Sequence, residues 1–251
     1  MKKAALMRLV QISDCHLLAD PDAPSRAGVP LRRLEAVIEA VNREGPDRVL
    51  ITGDISHDGS QASYRLAMRA FEHLHAPWDW LAGNHDEPAL MRRHHPLAEE
   101  LDLGGWRILL IETHLAGNPH GELGPRRLAW LAERLDDDDR PTLVAMHHPP
   151  LPVGSAWLDA IGLRDRQAFW QTLVPFRQVR GILCGHIHQA FLGQQSLDDR
   201  RVDVYGCPAT SDQFLPDAET FALDDAALPG FRVLDLTARG LETRVVRVDT
   251  E

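Results

Sequence analysis

Five short polar motifs, each directly after a predicted strand, carry side chains that can bind metal ions. They are Asp14-Cys15-His16, Gly53-Asp54, Gly83-Asn84-His85-Asp86, His147-His148-Pro149-Pro150 and Gly185-His186-Ile187-His188. Residues two apart in an extended chain face the same side, so Asp14 and His16 can reach one ion, and His186 and His188 can point into the same pocket. Oxygen and imidazole ligands without thiolate favour Mn²⁺, Fe²⁺ or Zn²⁺ over Ca²⁺ and Mg²⁺. The set is too large for one ion and suits two ions that share a carboxylate.

The elements that position these motifs follow from the hydrophobic pattern, in which short apolar runs alternate with longer amphipathic segments. The runs predict strands over Leu6–Ser13, Arg48–Thr52, Trp78–Ala82, Arg107–Glu112, Thr142–Met146 and Gly181–Cys184. The amphipathic segments predict helices over Leu31–Arg43, Gln61–His75, Pro125–Leu135 and Arg164–Phe176. Ser60 suits the N-cap of the second helix, and Pro125 suits the first turn of the third. Ligands of open α/β sheets bind beyond the carboxyl ends of the strands, which is where the five motifs lie.

The pattern changes after Gly185, where strands dominate. They are predicted over Ala190–Gln194, Arg201–Tyr205, Phe231–Leu236 and Leu241–Val248. We expect them to pair antiparallel, so the fold class is α/β with mixed sheets. Since there is neither an internal repeat nor a low-complexity linker, residues 1–251 are predicted to form one domain.

Composition excludes several classes of function. The 251 residues include 27 lysines and arginines against 37 acidic residues, a net charge of −10 with histidine neutral. Such a charge disfavours binding to nucleic acid or to an anionic membrane surface. There is no run of about 18 apolar residues, so no membrane span is expected, and no cleavable signal follows the N-terminal lysines. Three widely spaced cysteines suggest no disulfide framework, which favours the cytoplasm.

Taken in order, the motifs resemble those of the calcineurin-like metallophosphoesterase superfamily. The matching patterns are DxH, GDxxxxG (Gly53, Asp54, Gly59), GNHD, HHPP and GHxH, spread over about 175 residues. Four further stretches are similar to the bacterial class III 3′,5′-cyclic-AMP phosphodiesterases: Pro119–Leu123, His147–Asp159, Cys184–Gln189 and Pro229–Arg232. The resemblance thus covers nearly the whole chain.

The resemblance implies a four-layer αββα sandwich, in which two mixed sheets pack face to face between helices. It also implies a dinuclear metal centre, with Fe²⁺ or Mn²⁺ as the expected ions and Zn²⁺ as a further option. In that centre, one ion is held by Asp14, His16 and His188. The second ion is held by Asn84, His147 and His186, and Asp54 bridges both.

The reaction implied is hydrolysis of 3′,5′-cyclic AMP to 5′-AMP by a hydroxide that bridges the two metals, which would lower intracellular cyclic AMP. The resemblance makes His85, Asp54 and Asn84 catalytic, with His85 as the group that stabilises charge or protonates the leaving oxygen. Asp86 is expected to orient His85. The residues expected to face the substrate phosphate are His16, Asp54, Asn84, His85 and His188.

Two other functions stay open at this point. One is a metallophosphoesterase activity on another cyclic nucleotide, nucleotide or phosphodiester, because the metal core sets the reaction and not the specificity. The other is a non-catalytic binding module on the same scaffold, although every expected ligand position is present. The sequence leaves the oligomeric state undetermined.

Several residues near the motifs keep two interpretations each. His57 lies in the GDxxxxG loop and either approaches the substrate or belongs to the loop alone. His148 either supports the metal site or packs the loop. Trp157 and Arg164 either contact a nucleotide or serve packing and a surface salt bridge, respectively.

Two other features are expected to be structural. Cys15 and Cys184 flank metal ligands, and we expect them to be buried and inert. The acidic run Asp136–Asp139 is expected to be a solvated loop rather than a cation site.

Overall fold

The computed structural model describes residues 7–250 of the chain. The strands are β1 (Met7–Ile12), β2 (Arg48–Thr52), β3 (Trp78–Leu81), β4 (Glu100–Leu103), β5 (Trp106–Leu110), β6 (Thr142–Met146), β7 (Val179–Cys184), β8 (Leu192–Leu197), β9 (Arg200–Gly206), β10 (Gly230–Thr237) and β11 (Gly240–Arg247). The helices are α1 (Pro30–Glu44), α2 (Gln61–Phe71), α3 (Pro88–His94), α4 (Gly124–Asp136), α5 (Ala156–Asp159) and α6 (Arg166–Leu173). Leu6, the predicted start of the first strand, lies outside the described residues. The prediction of one domain over 1–251 stays a prediction.

Within residues 7–250 the strands form two mixed sheets. The five-stranded sheet has the order β11-β10-β1-β2-β3, and the six-stranded sheet has the order β4-β5-β6-β7-β9-β8. Strands β1, β2 and β3 run parallel, as do β5, β6, β7 and β9. The expected antiparallel pairing after Gly185 is found for β8 with β9 and for β10 with both β1 and β11. It is wrong for β9 against β7, because β8 takes the outer edge and returns β9 parallel beside β7.

The sheets pack face to face, with helices on both outer sides. Alternate residues of β1 show the division: Leu9 packs toward the six-stranded sheet, whereas Val10 belongs to the core under α1 and α2. In β6, Leu143 faces the five-stranded sheet and Val144 faces the side of α4 and α6. This period of two is what a sheet buried on both faces requires. The predicted four-layer αββα sandwich is confirmed.

Several helix ends differ from the prediction. Ser60 caps α2 as expected, its hydroxyl accepting the Ser63 N–H at 3.1 Å. Helix α2 nevertheless ends at Phe71, because the N–H groups of His73 and Leu74 bond three residues back and tighten the chain into turns. The short elements α3, β4 and α5 were not predicted from the sequence.

The helix predicted over Arg164–Phe176 is shorter at both ends. Asp165 does not continue the helix, because its carboxylate accepts the N–H of Leu123 at 3.1 Å and of Gly124 at 2.8 Å, where α4 begins. At the other end α6 stops at Leu173, because Pro175 two residues later has no N–H group with which to continue the helical hydrogen bonds. Pro125 lies in the first turn of α4, as predicted.

The acidic run Asp136–Asp139 begins with the last residue of α4 and continues as a surface loop, in which only Asp138 is partly buried. Its carboxylate accepts the backbone N–H and the Nε–H of Arg140, both at 2.8 Å. Its backbone carbonyl accepts Nη2 of the buried Arg107, also at 2.8 Å. The backbone of Asp138 therefore hydrogen-bonds the buried side chain of Arg107, which belongs to β5 of the six-stranded sheet.

Two further expectations can be compared with the structure. Cys15 and Cys184 are fully buried and unpaired, and burial raises the pKa of each thiol to about 12, which agrees with the expected structural role. Over residues 7–250, no helix has both the length and the apolar character needed to cross a membrane.

The layer between the sheets provides a stability test. Leu143 is completely buried there, so we expect Leu143→Ala to lower the free energy of unfolding by about 2–5 kcal/mol. The matched control is Leu192, which is 64% exposed on the edge strand β8. Leu192→Ala is expected to change the free energy of unfolding by about 0.5 kcal/mol or less. Urea unfolding followed by circular dichroism measures both. Equal effects would contradict the layer assignment.

Candidate metal centre

The carboxyl ends of β1, β2, β3, β6 and β7 meet at one edge of the sandwich. Backbone bonds join the loops there: Asp14 donates its N–H to the carbonyl of Gly53 at 3.0 Å, and Gly185 donates to the carbonyl of His147 at 3.1 Å. Asp14 also links the two sheets, because its carboxylate accepts the His186 N–H at 3.0 Å. All seven predicted metal ligands lie at this junction.

Three of them form the first ligand group, which consists of Asp14, His16 and His188. His188 Nε2 lies 3.4 Å from Asp14 Oδ1 and 3.1 Å from His16 Nε2. These ligand atoms lie close enough together to surround one ion.

The second ligand group consists of Asn84, His147 and His186. Asn84 Oδ1 lies 3.1 Å from His147 Nε2 and 2.8 Å from His186 Nδ1. The amide oxygen therefore lies beside one nitrogen of each imidazole, close enough for the three atoms to bind one ion.

Asp54 stands between the two groups. Its Oδ2 lies 3.5 Å from His16 Nε2 in the first group and 3.3 Å from His147 Nε2 in the second. Its Oδ1 accepts the backbone N–H of His85 at 2.9 Å. One carboxylate oxygen is thus within reach of both groups, as the predicted bridging role requires.

Hydrogen bonds fix the orientation of two of the imidazoles. His147 Nδ1 lies 2.8 Å from the carbonyl of Thr52, and His188 Nδ1 lies 2.7 Å from the carbonyl of Asp212. A carbonyl only accepts, so both Nδ1 atoms carry the hydrogen and both Nε2 atoms have a lone pair free when the ring is neutral. Backbone carbonyls commonly hold metal-binding histidines in this way.

The backbone around the ligands is unusual, since five of the predicted ligands adopt a left-handed conformation. The φ angles are 54° at Asp14, 46° at His16, 50° at Asp54, 68° at His186 and 50° at His188. Residues other than glycine rarely adopt such angles, and each costs of the order of 1–3 kcal/mol. Their concentration at one junction indicates a functional site.

Close packing explains one motif glycine. A Cβ atom at Gly83 would overlap the carboxylate and the backbone amide of Asp54. Only glycine leaves room there for the carboxylate that lies between the two ligand groups.

Electrostatics suit these groups for metal binding. Burial lowers the pKa of His16 and of His186 to about 3, so both rings are neutral. Burial opposes ionisation of Asp14 and Asp54, but neighbouring imidazoles keep the pKa of each carboxyl below its usual value. Burial also opposes charge on His147, yet Asp54 raises the pKa of that ring to about 9 in the metal-free protein. A metal would therefore displace a proton from His147.

His85 projects toward solvent beside this centre. Its Nδ1 donates to the carbonyl of His57 at 3.0 Å, which leaves Nε2 free. The expectation that Asp86 orients His85 is wrong. Asp86 is buried and accepts bonds from the N–H groups of Ile55, Ser56 and Gly83 and from the Tyr64 hydroxyl.

The two histidines with open roles are distinguished by their contacts. His57 stacks on His85 with ring centroids 5.1 Å apart, and its Nδ1 lies 3.3 Å from His16 Nδ1, so it belongs to the site's open side. His148 is buried, with Nδ1 2.8 Å from the Thr113 hydroxyl and Nε2 3.3 Å from the carbonyl of Pro119. Both nitrogens of His148 are engaged, so it supports the loop.

One cavity of about 450 Å³ contains six of the predicted ligand and catalytic residues: His16, Asp54, Asn84, His85, His186 and His188. The same cavity is also lined by Trp157 and by Arg26, Phe214 and Phe221. The last three were not predicted from the sequence, because the segments around them carry no motif. Arg164 is not among the lining residues. A larger cavity of about 740 Å³ lies elsewhere, but it includes none of the seven ligands.

Comparisons with known proteins agree with this geometry. The sequence profile named Calcineurin-like phosphoesterase matches residues 7–190. A Pseudomonas aeruginosa protein named 3′,5′-cyclic adenosine monophosphate phosphodiesterase CpdA is 41% identical, over 98% of this chain and 91% of that protein. The protein of the same name from Escherichia coli K12 is 37% identical, over 97% and 90% of the two chains.

A solved structure supports the same fold. A dimetal phosphatase from Danio rerio superposes with a TM-score of 0.66, covering 97% of this chain and 99% of that chain at 14% sequence identity. The profile match spans most of the chain, and the relatives are similar over almost the full length. The chain therefore belongs to the calcineurin-like phosphoesterase family of metal-dependent hydrolases.

Proposed function

We propose that this protein hydrolyses 3′,5′-cyclic AMP to 5′-AMP with two divalent metal ions bound on either side of Asp54. The observation that carries the proposal is the position of Asp54 Oδ2, 3.5 Å and 3.3 Å from imidazole nitrogens of the two ligand groups. The choice of cyclic AMP rests on the names of the full-length relatives.

The ligand sets are part of the proposal. Asp14, His16 and His188 would hold one ion, Asn84, His147 and His186 would hold the other, and Asp54 would bind both. Oxygen and imidazole donors without thiolate favour Fe²⁺ or Mn²⁺, with Zn²⁺ also compatible. When bound, two such ions would supply a hydroxide nucleophile at neutral pH and would stabilise negative charge on the phosphate.

The chain's own residues orient the substrate and handle the proton. His16, Asp54 and His188 face the phosphate from the ligand groups. The amide oxygen of Asn84 faces His147 and His186, and its NH₂ group donates to a phosphate oxygen. His85 Nε2 stands at the open side of the cavity, where it protonates the departing 3′ oxygen of the ribose.

We place this activity in the cytoplasm, because all three cysteines are buried and unpaired. The substrate is a small cyclic nucleotide, and the acidic net charge of −10 opposes long nucleic acid as a partner.

A substrate panel tests the proposed function. Protein loaded with Fe²⁺ or Mn²⁺ is assayed with cyclic AMP, cyclic GMP, 2′,3′-cyclic AMP and bis(p-nitrophenyl) phosphate. We expect the highest kcat/KM for cyclic AMP. Negligible turnover of cyclic AMP beside fast turnover of another member would assign the site to a different phosphoester.

Removing the shared carboxylate tests the metal assignment. We expect Asp54→Ala to lower the metal content from about two ions per chain to less than one, because one side chain serves two ions. Turnover should be lost with the metal. Elemental analysis and the cyclic AMP assay measure these. The matched control is Asp139→Ala, an exposed aspartate outside the site. If Asp54→Ala retained two ions, the bridging role would be wrong.

The role of His85 is tested by leaving-group dependence. His85→Ala is expected to retain metal and to lower turnover of cyclic AMP by about 10²–10⁴-fold, the usual size of a general-acid contribution. The loss should be much smaller for bis(p-nitrophenyl) phosphate, whose leaving group departs without a proton. His75→Ala, at an exposed histidine outside the cavity, is the control. Equal losses for both substrates would remove the acid role.

A further inference from the structure

Three aromatic side chains, Trp157, Phe214 and Phe221, line the cavity that also contains His85. The ring centroids of Trp157 and Phe214 are 5.0 Å apart, those of Trp157 and Phe221 are 5.2 Å apart, and those of Phe214 and Phe221 are 5.4 Å apart. All three pairs meet edge to face, and all three residues line the cavity. We call them the aromatic wall.

The aromatic wall is joined directly to the metal centre. Phe214 stacks on His188, with ring centroids 3.8 Å apart and planes 8° from parallel. A ligand whose phosphate lies on the two ligand groups therefore has the wall beside it in the same cavity.

An arginine side chain lies over the Phe221 ring of the aromatic wall. The guanidinium carbon of Arg26 lies 4.7 Å from the ring centre of Phe221. The loop that holds Arg26 is anchored by Asp212, whose Oδ1 accepts the Ser25 hydroxyl at 2.7 Å and the Ala27 N–H at 3.0 Å. The carbonyl of the same Asp212 orients His188. One residue thus fixes both the arginine and a proposed metal ligand.

Two details of the aromatic wall point to a ligand. Phe221 is 44% exposed although it is a large apolar side chain at the mouth of a cavity. Trp157 Nε1 is shielded from solvent and has no acceptor among the described residues. Packing alone requires neither the exposed ring nor the unpaired donor.

We propose that Trp157, Phe221 and Arg26 form the subsite that takes the purine base of the nucleotide. This inference rests on the proposed function and adds the part of the substrate that lies beyond the phosphate. Aromatic rings stack on nucleobases, and an arginine guanidinium lies well against their π-faces and donates to their ring nitrogens. Phe214 holds the subsite against His188.

The test compares a nucleotide with an analogue that lacks the base. The two substrates are cyclic AMP and the 3′,5′-cyclic phosphate of 1-deoxyribose. In Phe221→Ala, the ratio of their kcat/KM values is expected to fall about 5- to 100-fold, the size of one base–aromatic contact. Leu228→Ala is the matched control, because Leu228 is also 44% exposed and lies in the same inter-strand segment but outside the cavity. It should leave the ratio unchanged.

A binding measurement separates this inference from the proposed function. Adenosine has no phosphate, and saturation-transfer NMR reports whether it binds the unaltered protein and whether Phe221→Ala and Arg26→Ala weaken that binding. We expect binding, weakened in both variants and retained in Leu228→Ala. If the unaltered protein failed to turn over cyclic AMP, the proposed function would be wrong. The adenosine measurement would then still show whether the base subsite exists. An unchanged ratio or equal adenosine binding in Phe221→Ala would overturn the base subsite.

Discussion

The Asp54 carboxylate is the constraint on which the site depends. It is 2% exposed and lies between imidazoles that come from different sheets, His16 after β1 and His147 after β6. A buried charge is costly unless it is paired and hydrogen-bonded, and Asp54 has both kinds of partner, including the N–H of His85. Gly83 leaves room for it. Moving this carboxylate would disturb both ligand groups at once.

The rest of the fold holds that junction in place. The left-handed conformations at five of the predicted ligands are unfavourable locally, so rigid surroundings must impose them. The surroundings are the ends of parallel strands buried on both faces, joined by backbone bonds such as that from Gly185 to the carbonyl of His147. The proposed metal-dependent chemistry therefore depends on how the two sheets pack against each other.

The positions of these side chains at the ends of strands could be predicted from the sequence, because the signals for them are local. A strand buried on both faces is a short apolar run, and a ligand placed at its end is a short motif, so β1, β2 and β6 and the residues after them could be located from spacing. The pairing of Asp54 with ligands from both sheets came from the family resemblance, since spacing alone does not bring residues 54 and 147 together.

The parts that were missed depend on tertiary contacts. Asp165 was expected within a helix, but it lies outside α6 and its carboxylate accepts N–H groups at the start of α4. Asp86 accepts hydrogen bonds from four donors and makes none with His85. Phe221 lies in an irregular segment with no periodicity, and only the fold places it near Trp157. Helix ends and the loops that line the cavity were the least predictable features for this reason.

The central claim is that two metal ions share Asp54. Anomalous diffraction from crystals of the Mn²⁺-loaded protein, recorded near the manganese absorption edge, locates the ions directly. The account predicts two peaks about 3.5–4 Å apart, one within the group of Asp14, His16 and His188 and one within the group of Asn84, His147 and His186, with Asp54 between them. A single peak, or a peak held by His16, His57 and His85 instead, would contradict it.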